Sequence, residues 1–286
     1  MTETFLVIGG NGRVGREVVD QLLDAGHGVR AIVRSEAKVP SLKRDGIELV
    51  IGDIGDASIL APAMKGLRKA YVATSDDDTS VAKFEVFLET ARDAELEHIV
   101  RLSAMSADAE ADGDLSRRHG QRELALEESG MDWTHLQPTW FMQMMLEYAP
   151  GGHMDLPGGD GRIPWIDTRD IAAVAVAALT TEDHNCKTYQ LTGPAGLSYG
   201  DLAAQMSKAT GRDFVYRDVP ADEYRAMMVD AGEDPGYIDL VLQIYERISD
   251  GQLSTWHDGV QKALGREAID FATFCSDYAD DLIKQL

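Results

Sequence analysis

Four glycines near the amino terminus carry the plainest chemical signal. Gly9, Gly12 and Gly15 fit G-x-x-G-x-x-G, and Gly10, Gly12 and Gly15 fit G-x-G-x-x-G. In either frame, residues without a β-carbon let a strand turn sharply and let backbone N–H groups approach an anion. The helix that follows adds the positive end of its dipole, so a pyrophosphate is the group such a turn suits best. The run Gly9, Gly10, Asn11, Gly12, Arg13, Val14, Gly15 is thus a candidate dinucleotide cradle. Roughly 20 residues on, where an acid would grip the ribose 2′-hydroxyl of NAD, stands Arg34. A guanidinium can hold a 2′-phosphate through two charged hydrogen bonds, and Arg13 and Lys38 add positive charge nearby. This favours NADP, with NAD left open by Glu36. Asp53, with Ile54 beside it, follows a third apolar run and can either accept from an adenine amine or start a turn.

The elements that must position these residues alternate regularly. FLVIGG at 5–10 is an unbroken apolar run, as in a central parallel strand covered on both faces. Val14, Val18, Val19, Leu22 and Leu23 then share one side of a helix that Gly26 stops, and VRAIV at 29–33 returns as a strand. The glycine turn therefore opens a β-α-β unit, and a purely structural glycine turn is the weaker reading. Further strands are expected at 47–51, 70–74, 98–102 and 133–137, with helices near 56–65, 80–93 and 119–129. Such alternation implies an α/β protein with a Rossmann-type, doubly wound parallel sheet. Residues 1–150 form the expected NAD(P)-binding domain, with 165–195 returning to the sheet; 151–286 form a smaller, mainly helical C-terminal substrate region, set off by the Pro/Gly-rich stretch from Pro150 to Pro164.

Composition removes other classes. Twenty-seven basic against 49 acidic residues leave a net charge of −22, with no basic cluster to neutralise phosphates, which argues against nucleic acid as a partner. The longest apolar stretch, Ile171 to Leu179, is far short of the roughly 20 residues of a membrane span and reads as a buried helix. Cys186 and Cys275 have no metal-ligand spacing, and no cationic, apolar leader precedes the first strand, so the expectation is a cytoplasmic protein, possible as a homodimer.

Two side chains are candidates for proton chemistry. Ser103 follows the 98–102 strand at the carboxyl edge, where open α/β sheets bind ligands, although a hydroxyl there also caps turns. His119 titrates near neutral pH, or simply pairs with Glu123 one turn on. Asp76, Asp77 and Asp78 suit the start of the next helix better than a metal, and no metal site is expected. Trp140, Phe141, Met144, Met145 and Tyr148 offer flat, soft side chains for a planar substrate, with Tyr224, Met227 and Met228 further on; core packing competes in both cases.

With those residues in place the chain resembles the NmrA-like, atypical branch of the short-chain dehydrogenase/reductases, almost end to end. The carrying segments are GGNGRVG at 9–15, AIVR at 31–34, GD at 52–53, HIVRLSA at 98–104 and HGQRELALEESGMDWTHLQPTWF at 119–141. WIDTRDIAAVAVAAL at 165–179, YQLTGPAGLSYGDLA at 189–203 and Gly265-Arg266 continue it. The resemblance implies that the glycine loop and Arg34 hold the dinucleotide, that Thr74 and Ser75 lie along it, and that Pro138 to Phe141 approach the nicotinamide. One departure stands out. That superfamily's usual engine is Tyr-x-x-x-Lys, and no tyrosine here has a lysine four residues on; His119 and Glu123 occupy the place. The implied activity is NADPH-dependent reduction of a small planar, conjugated molecule such as a quinone, a dye or a polyketide-like aromatic. The alternative is a non-catalytic, NADP-binding redox sensor of the NmrA type, and only that reading needs a protein partner.

Overall fold

The computed structural model describes residues 3–35, 42 and 44–286. The chain divides into two compact units, of which the first comprises Met1–Pro138, Thr168–Leu191 and Gly259–Arg266. Its centre is a seven-stranded sheet of β1 (Thr4–Ile8), β2 (Gly28–Val33), β3 (Ile47–Ile51), β4 (Lys69–Val72), β5 (His98–Leu102), β6 (Asp132–Pro138) and β8 (Lys187–Leu191). The spatial order is β3-β2-β1-β4-β5-β6-β8, and every neighbouring pair is parallel. The connections include α1 (Arg13–Asp24), α2 (Ala57–Met64), α3 (Ser80–Asp93), α4 (Asp114–Glu127) and α5 (Thr168–Thr180). Helices on both faces explain the unbroken apolar runs: Phe5, Leu6 and Val7 point alternately up and down, yet all three are buried. The valine and leucine stripe of α1 is buried as expected at Val14, Val18, Val19 and Leu22.

Strand order reverses at β1, which has β2 on one side and β4 on the other. The two strands stay paired to their carboxyl ends, where Ala73 N–H donates to Ile8 O at 3.1 Å, and the loops that leave them diverge there, the place where open α/β sheets take their ligands.

Two boundaries differ from the sequence expectation. The first unit ends at Pro138 rather than near residue 150. Beyond Pro138, Ile166 N–H donates to Trp140 O at 2.9 Å and Met142 N–H donates to Ile166 O at 2.8 Å, which binds this segment to residues of the second unit. A late segment also returns to the first unit: α9 (Gly259–Leu264) lies so close to β8 that a β-carbon on Gly259 would sit 2.1 Å from Gln190 O. Arg266 then reaches Asp170, buried at the start of α5, at 2.7 Å.

The second unit comprises Thr139–Asp167, Thr192–Asp258 and Glu267–Leu286. It holds a parallel ribbon of β7 (His153–Leu156) and β9 (Val215–Asp218), unforeseen in a tail expected to be mostly helical. Around it stand α6 (Tyr199–Thr210), α7 (Ala221–Asp230), α8 (Pro235–Ser249), α10 (Phe271–Asp277) and α11 (Ala279–Ile283). Its core is aromatic and methionine-rich, with Trp165, Tyr199, Phe271, Phe274, Met142 and Met206 all buried. Among the described residues, no helix is long and apolar enough to cross a membrane.

Candidate dinucleotide site

The glycines of the first turn divide by role. Gly9 has φ +82°, and a β-carbon there would lie 2.5 Å from Ala73 O. At Gly15 a β-carbon would lie 2.1 Å from Gly9 O, also a backbone atom. Both positions are closed by packing alone. Gly12 is different: its φ −79° and ψ 171° suit any residue, and the nearest atom to an added β-carbon is Gly9 O at 3.3 Å. A side chain at Gly12 would press only on Gly9 O among the described residues, and the space beside it is open to a ligand. No side chain caps the first turn of α1, and an anion suits that position.

From this turn a cleft of about 600 Å3, solvent at its mouth included, runs along the sheet edge and brings together Gly9, Asn11, Arg34, Asp53, Ile54, Thr74 and Ser75. Gly10, Gly12, Arg13, Val14 and Gly15 complete the turn and open α1. Lys38 lies outside the described residues. Pro138 ends β6, is buried, and its carbonyl accepts from Met105 N–H at 3.2 Å. Asp53 Oδ1 accepts from Gly55 N–H at 2.8 Å, and Oδ2 lies 3.0 Å from Lys83 Nζ. Burial pushes this carboxyl up, but the Gly55 N–H and the Lys83 charge outweigh it and hold the pKa below the usual value.

Two further lining residues with polar side chains, Ser80 and Lys83, escaped the sequence reasoning. Their signal was the i, i+3 spacing that places both on one face of α3. Ser80 Oγ is buried with no hydrogen-bond partner among the described residues. A donor left so beside the cleft fits a polar ligand. These observations together fit a bound dinucleotide.

Behind the cleft lies a buried ionic network. Arg122 of α4 donates to Thr74 Oγ1 and to Asp76, and to Ser75 O at 3.3 Å, so it fixes the loop after β4. Asp76 also meets His119 Nε2 at 3.2 Å, while His119 Nδ1 lies 3.2 Å from Arg101 Nη2. His119 therefore does not pair with Glu123. The helix starts at Asp114 rather than near 119, so His119 stands mid-helix, and Glu123 instead accepts from Gln137 at 3.0 Å with Arg101 at 3.8 Å. Burial pushes the His119 pKa down, helped by Arg101 and Arg122, against the pull of Asp76. Of the three acids, Asp77 does serve the helix start, accepting from Thr79 N–H at 2.9 Å; Asp78 pairs with Arg118. Among the described residues no group of three His, Cys, Asp or Glu side chains could hold a metal. Ser103, at the end of β5, donates its N–H to Leu136 O at 2.7 Å, and its buried Oγ has no partner among the described residues.

The aromatic candidates belong to the second unit. Trp140, Phe141, Met144 and Tyr148 are half-buried, and Trp140 meets Trp165 edge-on at 6.3 Å. Met145 is core, as is Tyr224, T-shaped against Tyr245 at 5.3 Å; Met228 packs on the core and Met227 is exposed.

A parallel sheet in this order, with a glycine turn where the order reverses, defines a Rossmann-type dinucleotide-binding protein. Comparison with known proteins agrees. The profile of a family described as NAD(P)H-binding matches residues 9–182. An NAD(P)H azoreductase of Xenophilus azovorans is 34% identical over 279 residues, covering 96% of this chain and 98% of the relative. A (4-alkanoyl-5-oxo-2,5-dihydrofuran-3-yl)methyl phosphate reductase of Streptomyces griseus is 33% identical, covering 96% and 98%. The crystal structure of an NADPH-dependent quinone oxidoreductase of Escherichia coli with NADPH superposes at a TM-score of 0.83, with 25% identity, 96% of this chain and 99% of that one covered. The chain belongs to this NAD(P)H-binding family and is an oxidoreductase.

Proposed function

We propose that this protein is a cytoplasmic NADPH-dependent reductase that passes hydride to a planar, conjugated small molecule without a Tyr-x-x-x-Lys pair. The observation that carries the reading is the fate of the two positions where that pair would stand. His119 is tied to Asp76 and Arg101, and Glu123 to Gln137, in a buried network. A neutral, ion-locked histidine is a poor stand-in for an activated tyrosine. Arg34 in the cleft supports NADPH as the donor, and the azo and quinone groups in the relatives' names support a conjugated acceptor.

When bound, the reduced dinucleotide supplies the hydride. The protein's part is to hold and orient. The Gly12 turn and the uncapped end of α1 would hold the pyrophosphate, Arg34 would hold the 2′-phosphate, and Asp53 and Ile54 would border the adenosine. Thr74 and Ser75, kept in place by Arg122 and Asp77, line the path of the dinucleotide. Negative charge arriving in a delocalised acceptor needs little acid catalysis, and water supplies the proton. Ser103, whose buried hydroxyl has no partner among the described residues, is a candidate for a direct polar contact with the acceptor, and Trp140, Phe141, Met144 and Tyr148 are the candidate acceptor contacts, Tyr224 being taken up by the core. Oxidation of NADPH followed at 340 nm with quinones and azo dyes tests the proposal. Multiple turnovers are expected; stoichiometric NADPH binding with no turnover on any of them would refute it and leave the sensor reading.

A further inference from the structure

The cleft holds a cation that the reading above does not use. Lys83 projects from α3 to within 3.0 Å of Asp53 Oδ2, and both side chains line the same cleft as Arg34. The pair is solvent-accessible, with 34% of the lysine and 39% of the aspartate side chain exposed, so it adds little to the stability of the fold. Its effect on a ligand is larger. A phosphate monoester brings nearly two negative charges. Arg34 and Asp53 alone would sum to zero and leave the cleft indifferent to them. With Lys83 the three side chains sum to +1.

We propose that Lys83 is a specificity-determining residue: by cancelling the charge of Asp53, it lets the cleft accept the 2′-phosphate that distinguishes NADPH from NADH. The inference rests on the NADPH reading and adds a second, indirect element to it. Asp53 organises the turn by accepting from Gly55 N–H, and Lys83 offsets the electrostatic cost of a carboxylate there. Lys83 acts through Asp53, and that sets it apart from a lysine that grips the phosphate itself.

The test is a charge cycle. Dissociation constants for NADPH and NADH are measured by fluorescence titration for the wild type, Lys83→Gln, Asp53→Asn, the double variant and Lys83→Arg. The quantity read is the ratio of the two constants, so that any shared loss at the adenosine cancels. Lys83→Gln should lower the preference for NADPH by about tenfold, as removal of a unit charge beside a nearly divalent phosphate in a solvent-open cleft implies. Asp53→Asn should raise it, the double variant should return to within about threefold of the wild type because its charge sum is again +1, and Lys83→Arg should hold the original ratio. An unchanged ratio in Lys83→Gln or in Asp53→Asn would overturn the inference, as would a loss that persists in the double variant, which would mean direct contact. A wild type that prefers NADH would overturn the NADPH reading instead, while the changes in ratio among the variants would still decide the part played by Lys83.

Discussion

The contrast between Gly12 and Gly15 separates binding from folding within four residues. Gly12→Val places its side chain where the nearest backbone atom is 3.3 Å away, at φ −79° and ψ 171°, a conformation open to β-branched residues. The fold should absorb it, with melting displaced by no more than about 2 °C, the scale of a change under 1 kcal/mol in a chain of this size. In Gly15→Ala the new carbon meets Gly9 O at 2.1 Å, Gly9 C at 2.7 Å and Gly10 Cα at 3.0 Å, all of them backbone. No rotamer relieves that overlap, so the turn must shift, at a cost of about 1–3 kcal/mol. Each kcal/mol lowers melting by roughly 2–4 °C. The assay is thermal unfolding with and without NADPH at a hundredfold excess over its Kd, a concentration that stabilises a binding-competent protein by about 2.7 kcal/mol. The wild type should gain that stabilisation, Gly12→Val should melt like the free wild type and gain none, and Gly15→Ala should melt low from the start. Full stabilisation of Gly12→Val by NADPH would show that the turn is structural only. A Gly15→Ala protein as stable as the wild type would show that the helix and loop do not meet as described.

Arg34→Ala should weaken NADPH by about 1.5–3 kcal/mol, the worth of hydrogen bonds to a charged group, and leave NADH nearly untouched; equal loss for both cofactors in a titration would exclude the 2′-phosphate contact. The hydride step should vary little between pH 6 and 8, and Ser103→Ala or His119→Ala should each cost less than the roughly 100-fold of a lost general acid, while Trp140→Ala should raise KM. A bell-shaped profile with a thousandfold loss in His119→Ala would make that histidine the proton donor. Acid should destabilise the fold from an unusually high pH. Burial holds His98 near a pKa of about 4 and His135 near about 3, whereas both take up a proton near 6.5 once unfolded, so the unfolded state binds more protons as pH falls below about 6.5. Asp76 extends the loss: although burial opposes it, His119 and Arg122 hold its pKa at about 2, so its contribution fades from about pH 4 downward. The urea midpoint should therefore drop between pH 7.5 and 4.5, less steeply in His98→Asn; equal slopes in the two proteins would refute the assignment to His98.

The strands of the large sheet and the glycine turn were legible in the chain itself, because their signals are local. An apolar run of five residues bounded by glycine carries its own instruction, and so does the stripe of Val14, Val18, Val19 and Leu22. Arg34 and Asp53, which both line the cleft, stood out in the sequence because each follows a strand at a spacing that the β-α-β unit imposes. Tertiary structure alone decided the rest. Lys83 meets Asp53 across 30 positions, and Arg122 meets Asp76 across 46, pairings that no periodicity announces. His119 took a partner from a distant loop and not the glutamate one turn away, since α4 begins earlier and turns its polar face toward Arg101. The return of residues 259–266 to the first unit was equally hidden, for it depends on a close approach at Gly259 and on the ion pair from Arg266 to Asp170. Local pattern determines which segments become strands and helices and where the glycine turn falls. Which charges meet around that site depends on loops brought together by the closing of the sheet, and a lone charged residue in a sequence does not name its partner.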